Sequence, residues 1–288
     1  MSGFSARWLG LREPADLRAR APRLLAAVRA WAREAAGVST APLAIVDLGA
    51  GTGAGLRAIA PHLPTPQSWT LVDKDRDLLE RSLAPVASGL AMEMLHRGEI
   101  HVRLHAADLA SDAALADALP GATAEPCLFT ASALLDLVSE PWCQHLILQI
   151  ARPGVAVYAA LSYDGRMALS PGHPLDGPVR GLFNRHQRRD KGFGPALGPE
   201  AARIFAGAAR AAGARVCTAR SDWRLGPGQT ELIGALLRGW GEAAQEVAAE
   251  EAPNLRTGIA AWTALRLQQA EAGTLRLVVG HRDLFAVW

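Results

Sequence analysis

Apolar and polar positions along the chain switch between two periods. From Pro22 to Ala36, Leu24, Leu25, Val28, Trp31 and Ala35 recur at helical spacing, with Arg23, Arg29 and Arg33 between them, and Gly37 ends the pattern. A shorter mixed segment, Trp8 to Arg20, precedes it. Together the two predict an N-terminal helical cap over residues 1–40. The run Leu43–Leu48 (LAIVDL), bounded by Pro42 and Gly49, predicts a buried strand. Further strands are predicted at Trp69–Val72, Ile100–His105, Leu128–Ala131 and Val155–Leu161, separated by helical stretches at Arg76–His96, Ala113–Leu119 and Pro141–Ile150. Such alternation predicts an α/β, doubly wound, mostly parallel sheet with helices on both faces.

The pattern then loosens. Residues 162–198 are rich in Gly, Pro and Arg and are expected to form a substrate lid. A helix is predicted from Glu200 to Ala212, stopped by Gly213, then a strand at Arg215–Trp223. Two extra helices, Thr230–Glu250 and Leu255–Ala270, precede a last β-like segment, Leu275–Val287, in which His281 and Asp283 read as turn residues. Residues 41–288 are therefore expected to form one domain that carries the lid.

Composition narrows the class. The chain has 288 residues, 50% hydrophobic and 20% charged, which is enough for a sizeable core. A net charge of +2 is too small to signal a nucleic-acid binder. The three cysteines, Cys127, Cys143 and Cys217, form no C-x-x-C pair, and no Cys/His spacing suggests a metal. Charges run through the first residues, and no stretch approaches the ~18 apolar residues a membrane helix needs. A cytoplasmic protein with free thiols and no membrane partner is expected.

The strongest chemical signal is Ile45-Val46-Asp47-Leu48-Gly49-Ala50-Gly51-Thr52-Gly53, a buried strand running into a glycine-rich turn. Such a turn, at the carboxyl end of the first strand, sits where doubly wound sheets bind ligands. Gly49, Gly51 and Ala54 fit the relaxed dinucleotide fingerprint, which seats a pyrophosphate on a helix N-terminus. Asp47, two residues before the first glycine, argues the other way. A carboxylate repels a pyrophosphate but favours the ammonium or sulfonium-bearing end of S-adenosyl-L-methionine. Asp73, after the second strand, suits ribose hydroxyls and is followed by Lys74; nicotinamide cofactors use the same device. Asp108, after the third strand, suits an adenine amino group, with Leu109 packing on the ring. It could equally cap a helix, as Ser111 and Asp112 could.

The run VDLGAGTG, the acids after strands two and three, and FTASALLDLVS after strand four resemble the class I S-adenosylmethionine-dependent methyltransferases. The resemblance covers roughly Pro42 to Leu161, with weaker support from Ala212–Val216. It implies a Rossmann-like, seven-stranded sheet, with the glycine loop at the methionine end of the cofactor and the acid after strand two on the ribose. The expected cofactor contacts are Asp47, Gly49, Ala50, Gly51, Thr52, Gly53, Asp73, Lys74, Asp108 and Leu109, with Ala131 and Ser132 ending strand four. Related enzymes often close the site with an N-terminal helix, so Arg20 is a candidate for the methionine carboxylate. The chain departs from the family pattern twice: Cys127 stands where an Asp often opens strand four, and the last two strands are separated by helices rather than a short hairpin.

Methyl transfer from a sulfonium needs alignment more than covalent help, so no catalytic signature is required. Asp136, within Leu134-Leu135-Asp136-Leu137-Val138, is an acid among apolar residues and needs a partner or a purpose; Arg166 and His173 are candidate partners. His173, between prolines, could act as a base. Asp136 and His173 are thus the catalytic candidates, for in-line transfer to an acceptor expected to be a small molecule. Arg180 to Lys191 is strongly basic, suiting either a solvated face or a lid that recruits an anionic acceptor. The alternatives are an RNA or protein methyltransferase gripping its substrate with residues 180–191, and a non-catalytic cofactor-binding module. The few aromatics there disfavour nucleic acid.

Overall fold

The structure is a computed structural model, described here for residues 4–38, 41–83, 89–119 and 126–288. Among the described residues it holds one eight-stranded sheet. The strands are β1 (Leu43–Leu48), β2 (Gln67–Asp73), β3 (Ile100–Ala106), β4 (Cys127–Ser132), β5 (Val155–Ser170), β6 (Arg215–Arg220), β7 (Trp223–Leu225) and β8 (Arg276–Val287). Their order is β3-β2-β1-β4-β5-β8-β6, with β7 also paired to β8. The first five strands run parallel, whereas β8 is antiparallel to β5, β6 and β7. The sheet is doubly wound, with β1 and β4 adjacent at the point where strand order reverses. The sequence implied seven strands; the short β7 is the eighth.

Alternation along the central strands feeds two cores. Val46, Leu48, Phe129, Ala131, Val155 and Val157 face α6 (Asp112–Ala118), α7 (Glu140–Ile150) and α9 (Ala201–Ala211). Ile45, Trp69, Leu71, Leu128, Ala156 and Tyr158 face α2 (Pro22–Val38), α3 (Ala54–Ile59), α4 (Arg76–Arg81) and α5 (Leu90–His96). The helix read as Arg76–His96 is therefore two short helices, and residues 84–88 of it lie outside the described residues. α1 (Ala6–Ala19) precedes α2, and residues 39–40 of the expected cap also lie outside the description.

A third core accounts for the chain between β7 and β8. β5 runs sixteen residues, far past the Leu161 expected from the sequence. β8 follows it with two register shifts, at Ala159/Ser162 and Tyr163/Met167. This extension forms a platform for α8 (Asp176–His186), α10 (Thr230–Glu251) and α11 (Arg256–Glu271), through Tyr163, Met167, Val179, Leu182, Trp240, Ile259 and Trp262. The segment expected as a lid is thus strand up to Ser170 and helix from Asp176 to His186, with loop on either side of that helix. His281 and Asp283 lie inside β8 and are buried, at 5% and 0% exposure, which corrects their reading as turn residues.

Asp283 fastens the N-terminus to the sheet. Its Oδ2 accepts the Ala21 amide (2.9 Å) and the Tyr158 hydroxyl (3.0 Å), and its Oδ1 accepts the Leu161 amide (2.9 Å). Leu161 has φ of 60°, an uncommon value for a branched residue, and that turn of the backbone aims its N–H at the carboxylate. The corner between α1 and α2 is thereby held beside the end of β4 and the middle of β5.

Candidate active site

The glycine loop after β1 is built by backbone bonds. Ala50 N–H donates to Val72 O (2.9 Å) and Gly53 N–H to Ala50 O (2.9 Å). Gly51 N–H donates to Asp73 Oδ2 (2.8 Å), while Asp73 Oδ1 accepts from Asp75 N–H (3.0 Å). Gly51 has φ of 52°, and a Cβ there would stand 3.0 Å from Leu9 Cδ1 of α1. Gly53 has φ of 76°, and a Cβ there would lie 2.8 Å from Ser82 Cβ. Arg57 ties the loop to α1: Nη1 donates to Thr52 O (2.6 Å) and Nε to Glu13 Oε1 (2.6 Å).

A cavity of ≈ 590 Å³ opens over this loop. Gly49 and Gly51 form its floor; Asp73, Lys74, Ala107, Asp108 and Leu109 line one end. Ser132, Ala133, Leu134 and Leu137, after β4, line the other side, with Leu9 and Arg12 from α1 and Lys191 and Phe193 from the loop after α8. Asp108 Oδ1 accepts from Ala110 N–H (3.1 Å), and the cap of α6 is Ser111, not Asp108. Leu109 is buried, and its carbonyl accepts from Trp142 Nε1 (2.7 Å). Trp142 in turn meets Phe193 edge-on, with ring centroids 5.7 Å apart.

Arg20 is not itself among the residues lining the cavity; it reaches the site through Ser132, which is. Arg20 is 4% exposed, Nη2 donates to Ser132 Oγ (2.8 Å), and its guanidinium carbon lies 5.9 Å from the Tyr158 ring centroid. Nε and Nη1 have no hydrogen-bond partner. A buried guanidinium with two unpaired nitrogens is costly unless an anion completes it.

The other expected residues are placed differently. Asp47 does not line the cavity; it is buried beneath the loop, accepts from the Thr130 hydroxyl (2.7 Å), and leaves no room for a Cβ at Gly55. Burial pushes its carboxyl up to about 6. Ala50, Thr52, Gly53 and Ala131 shape the loop and strand end without lining the cavity. Asp136 lies in the turn between β4 and α7, before the helix begins at Glu140, so Ser132 and Asp136 do not share a helix face. It is 8% exposed, burial pushes its carboxyl up to about 6, and Oδ1 has no partner. Neither partner expected for it is there: Arg166 is held by Asp164 (2.6 Å) and Asp222. His173 lies past the far end of β5, where Nδ1 accepts from Leu175 N–H (3.1 Å), and it is not among the residues lining the cavity. The extra length of β5 carries His173 away.

The Arg-rich segment faces acids. Arg185 pairs with Glu251 (2.7 Å), Arg189 with Glu250 (2.7 Å), His186 with Glu246 (3.1 Å) and Arg188 with Glu200 (4.0 Å). Lys191 alone of that segment lines the cavity. Sequence reasoning missed Leu9, Arg12, Trp142 and Phe193. The first two share one face of α1, a signal that was present in the helical spacing.

No protein-family model matches the chain, and no curated protein matches it. Solved structures do. An S-adenosylmethionine-dependent methyltransferase from Thiobacillus denitrificans, in complex with S-adenosyl-L-homocysteine, is 13% identical over 100% of both chains, with a TM-score of 0.47. A similar enzyme from Geobacter sulfurreducens, with the same ligand, is 12% identical over 98% of each chain, with a TM-score of 0.42. A candidate type II methyltransferase from Anaeromyxobacter dehalogenans is 18% identical over 90% of this chain and 95% of its own, with a TM-score of 0.46.

Proposed function

We propose that the chain is a class I S-adenosyl-L-methionine-dependent methyltransferase acting on a small molecule. The observation that carries this reading is Arg20: a buried guanidinium with two unpaired nitrogens, bonded to Ser132 at one side of a cavity that carries Asp73 and Asp108 at its other end. One molecule with a carboxylate at one end and an adenosine at the other satisfies all three. Arg20 and Ser132 would hold the methionine carboxylate, Asp73 the ribose hydroxyls, and Asp108 the adenine amino group, with Leu109 beneath the ring.

The loop supports this cofactor over a dinucleotide. Anion-binding loops need free N–H groups. Here those of Ala50, Gly51 and Gly53 are already donated within the protein, and the Gly51 bond brings the Asp73 carboxylate against the loop. A pyrophosphate there would meet a negative charge. Asp47 supports the loop from beneath rather than touching the ligand.

The cofactor, when bound, supplies an activated methyl group on a sulfonium, ready for in-line displacement. The chain's own task is orientation and exclusion of water. α1 covers the loop through Leu9, and Phe193 closes the far side against Trp142. Lys191 supports an anionic group on the acceptor. Against the RNA-gripping alternative, Arg185, Arg188 and Arg189 each stand within 4.0 Å of a glutamate. Among the described residues no helix is long and apolar enough to cross a membrane. Burial pushes the thiols of Cys127 and Cys143 up to about 12, which keeps both as thiols rather than reactive thiolates. Incubation with methyl-labelled cofactor and a small-molecule extract, followed by mass spectrometry, tests the reading. A labelled small product is expected; label found only in RNA or protein would overturn the small-molecule assignment.

A further inference from the structure

Methyl transfer to a hydroxyl needs a group that takes the hydroxyl proton. Among the described residues that line the cavity, the ionisable run Asp73–Asp77 and Asp108 lie at the end that suits adenosine. Arg12 is held by both carboxylate oxygens of Asp16, at 2.9 and 3.3 Å. His173 and Asp136 do not line the cavity. Lys191, beside Phe193, is the ionisable side chain that remains.

Lys191 ends a chain of hydrogen bonds that no cofactor contact requires. Its Nζ lies 3.4 Å from His186 Nδ1, and His186 Nε2 lies 3.1 Å from Glu246 Oε2 on α10. Lysine brings donors to that contact, so His186 Nδ1 is the bare nitrogen and the ring proton sits on Nε2, aimed at the Glu246 carboxylate. His186 is therefore a neutral imidazole; burial and the nearby Lys191 hold it below the usual histidine range.

The same surroundings disfavour an ammonium on Lys191. Among the described residues it forms no ion pair. The Glu246 carboxylate is spent on His186 and stands 4.0 Å from Arg189 Nη1. Burial holds the Lys191 amine below the usual lysine range; Glu246 pulls it up and Arg189 pushes it down. A neutral amine that donates to His186 keeps a lone pair free to accept a proton.

We infer that Lys191 takes the proton of a phenol-type hydroxyl on the methyl acceptor, with His186 and Glu246 as its outlet to solvent. This names the acceptor class for the methyltransferase reading and rests on that reading. A phenol ionises in the same range as an ordinary lysine, which an aliphatic alcohol does not. Phe193, held edge-on by Trp142, and Leu137 give the aromatic ring an apolar wall. The hydroxyl proton moves to the Nζ lone pair as the oxygen bonds the methyl carbon; the methyl–sulfur bond breaks and its electron pair stays on sulfur. The anionic group that faces Lys191 is then the oxygen giving up its proton. The new ammonium passes a proton to His186 Nδ1, and His186 Nε2 passes its own to Glu246, whose side chain is 60% exposed and releases it to water.

The chain has two lysines, Lys74 and Lys191, so each can be followed by nuclear magnetic resonance of protein isotopically labelled at the lysine ε-carbon. The signal lost in Lys191→Met should titrate at the lower pH, and Glu246→Gln should lower that pH further. The probe is 2-naphthol, added with S-adenosyl-L-homocysteine bound, at a pH between the Lys191 titration and the ionisation of free 2-naphthol. The Lys191 signal should move to its ammonium position as the naphtholate absorption band appears. The methyl ether of 2-naphthol, with no proton to give, should produce neither change. Lys191 titrating together with Lys74, 2-naphthol failing to bind, or binding without both the shift and the band would overturn the assignment. A Lys191 titration unmoved in Glu246→Gln would overturn the outlet. If S-adenosyl-L-homocysteine does not bind, the cofactor reading falls, and the same titration of the ligand-free protein decides the role of Lys191.

Discussion

Arg20 Nη2 donates to Ser132 Oγ across 2.8 Å, joining the end of α1 to the end of β4. That bond uses one of three guanidinium nitrogens and leaves two buried and unpaired. The cost of that arrangement is repaid only when an anion arrives. Arg20→Met keeps the length and removes the charge. A charge-assisted bond contributes ~1.5–3 kcal/mol, so calorimetry should show S-adenosyl-L-homocysteine affinity falling at least tenfold. The ligand-free variant should stay folded, its melting temperature shifted only by loss of the Ser132 bond and of the Arg20 charge that acts on Asp47.

Gly51→Val tests the floor of the cavity. The native φ of 52° is disfavoured for any residue with a Cβ by roughly 1–2 kcal/mol, and the new side chain would meet Leu9. Circular dichroism should show a folded protein, and calorimetry should show no binding of S-adenosyl-L-homocysteine. Retained binding would mean the ligand lies elsewhere.

Asp283→Ala removes the acceptor of the Ala21 and Leu161 amides and the Tyr158 hydroxyl at a fully buried position. Leaving such donors unpaired costs ~1–3 kcal/mol each. Urea unfolding should show a loss of at least ~3 kcal/mol, and the loosened α1–α2 corner should weaken cofactor binding in parallel.

Asp47 and Asp136 give a pH signature. Burial raises both to about 6 from 3.8, so between these values the folded chain binds more protons than the unfolded one. The stability tied to each group is present below about pH 4 and is lost as pH rises through about 6. The opposing influences are the Thr130 hydroxyl and Arg20 on Asp47, and the residue's own backbone N–H, then Arg12 and the Tyr163 backbone, on Asp136. Asp136→Asn should therefore be more stable than the parent at pH 8, by up to roughly 3 kcal/mol, and indistinguishable from it near pH 4 in urea unfolding.

The centre of the sheet was legible because its strands are short apolar runs bounded by turn residues, as in Leu43–Leu48, and because the glycine loop signals itself. Three features were not. β5 was cut at Leu161 because bulges and the polar run Tyr163-Asp164-Gly165-Arg166 break the alternation, although β8 continues the ladder to Ser170. Asp283 was read as a turn residue because its partners, Ala21, Tyr158 and Leu161, are remote in sequence. Lys191 and Phe193 reach the cavity on a loop whose course depends on Leu197 and Gly198 N–H groups bonding Val138 and Asp136 carbonyls, a contact no local pattern encodes. Conversely, Asp47 was legible as an acid beside the loop but not as one buried under it, since sequence spacing does not say which face of a turn a side chain takes.

Parallel calorimetric titration of the purified chain with S-adenosyl-L-homocysteine and with NADH tests the central claim most directly. S-adenosyl-L-homocysteine should bind at one site in the micromolar range, corresponding to about 8 kcal/mol, and NADH should show no saturable heat. The Arg20→Met variant should lose most of the first signal. Saturable binding of NADH without binding of S-adenosyl-L-homocysteine would contradict the account.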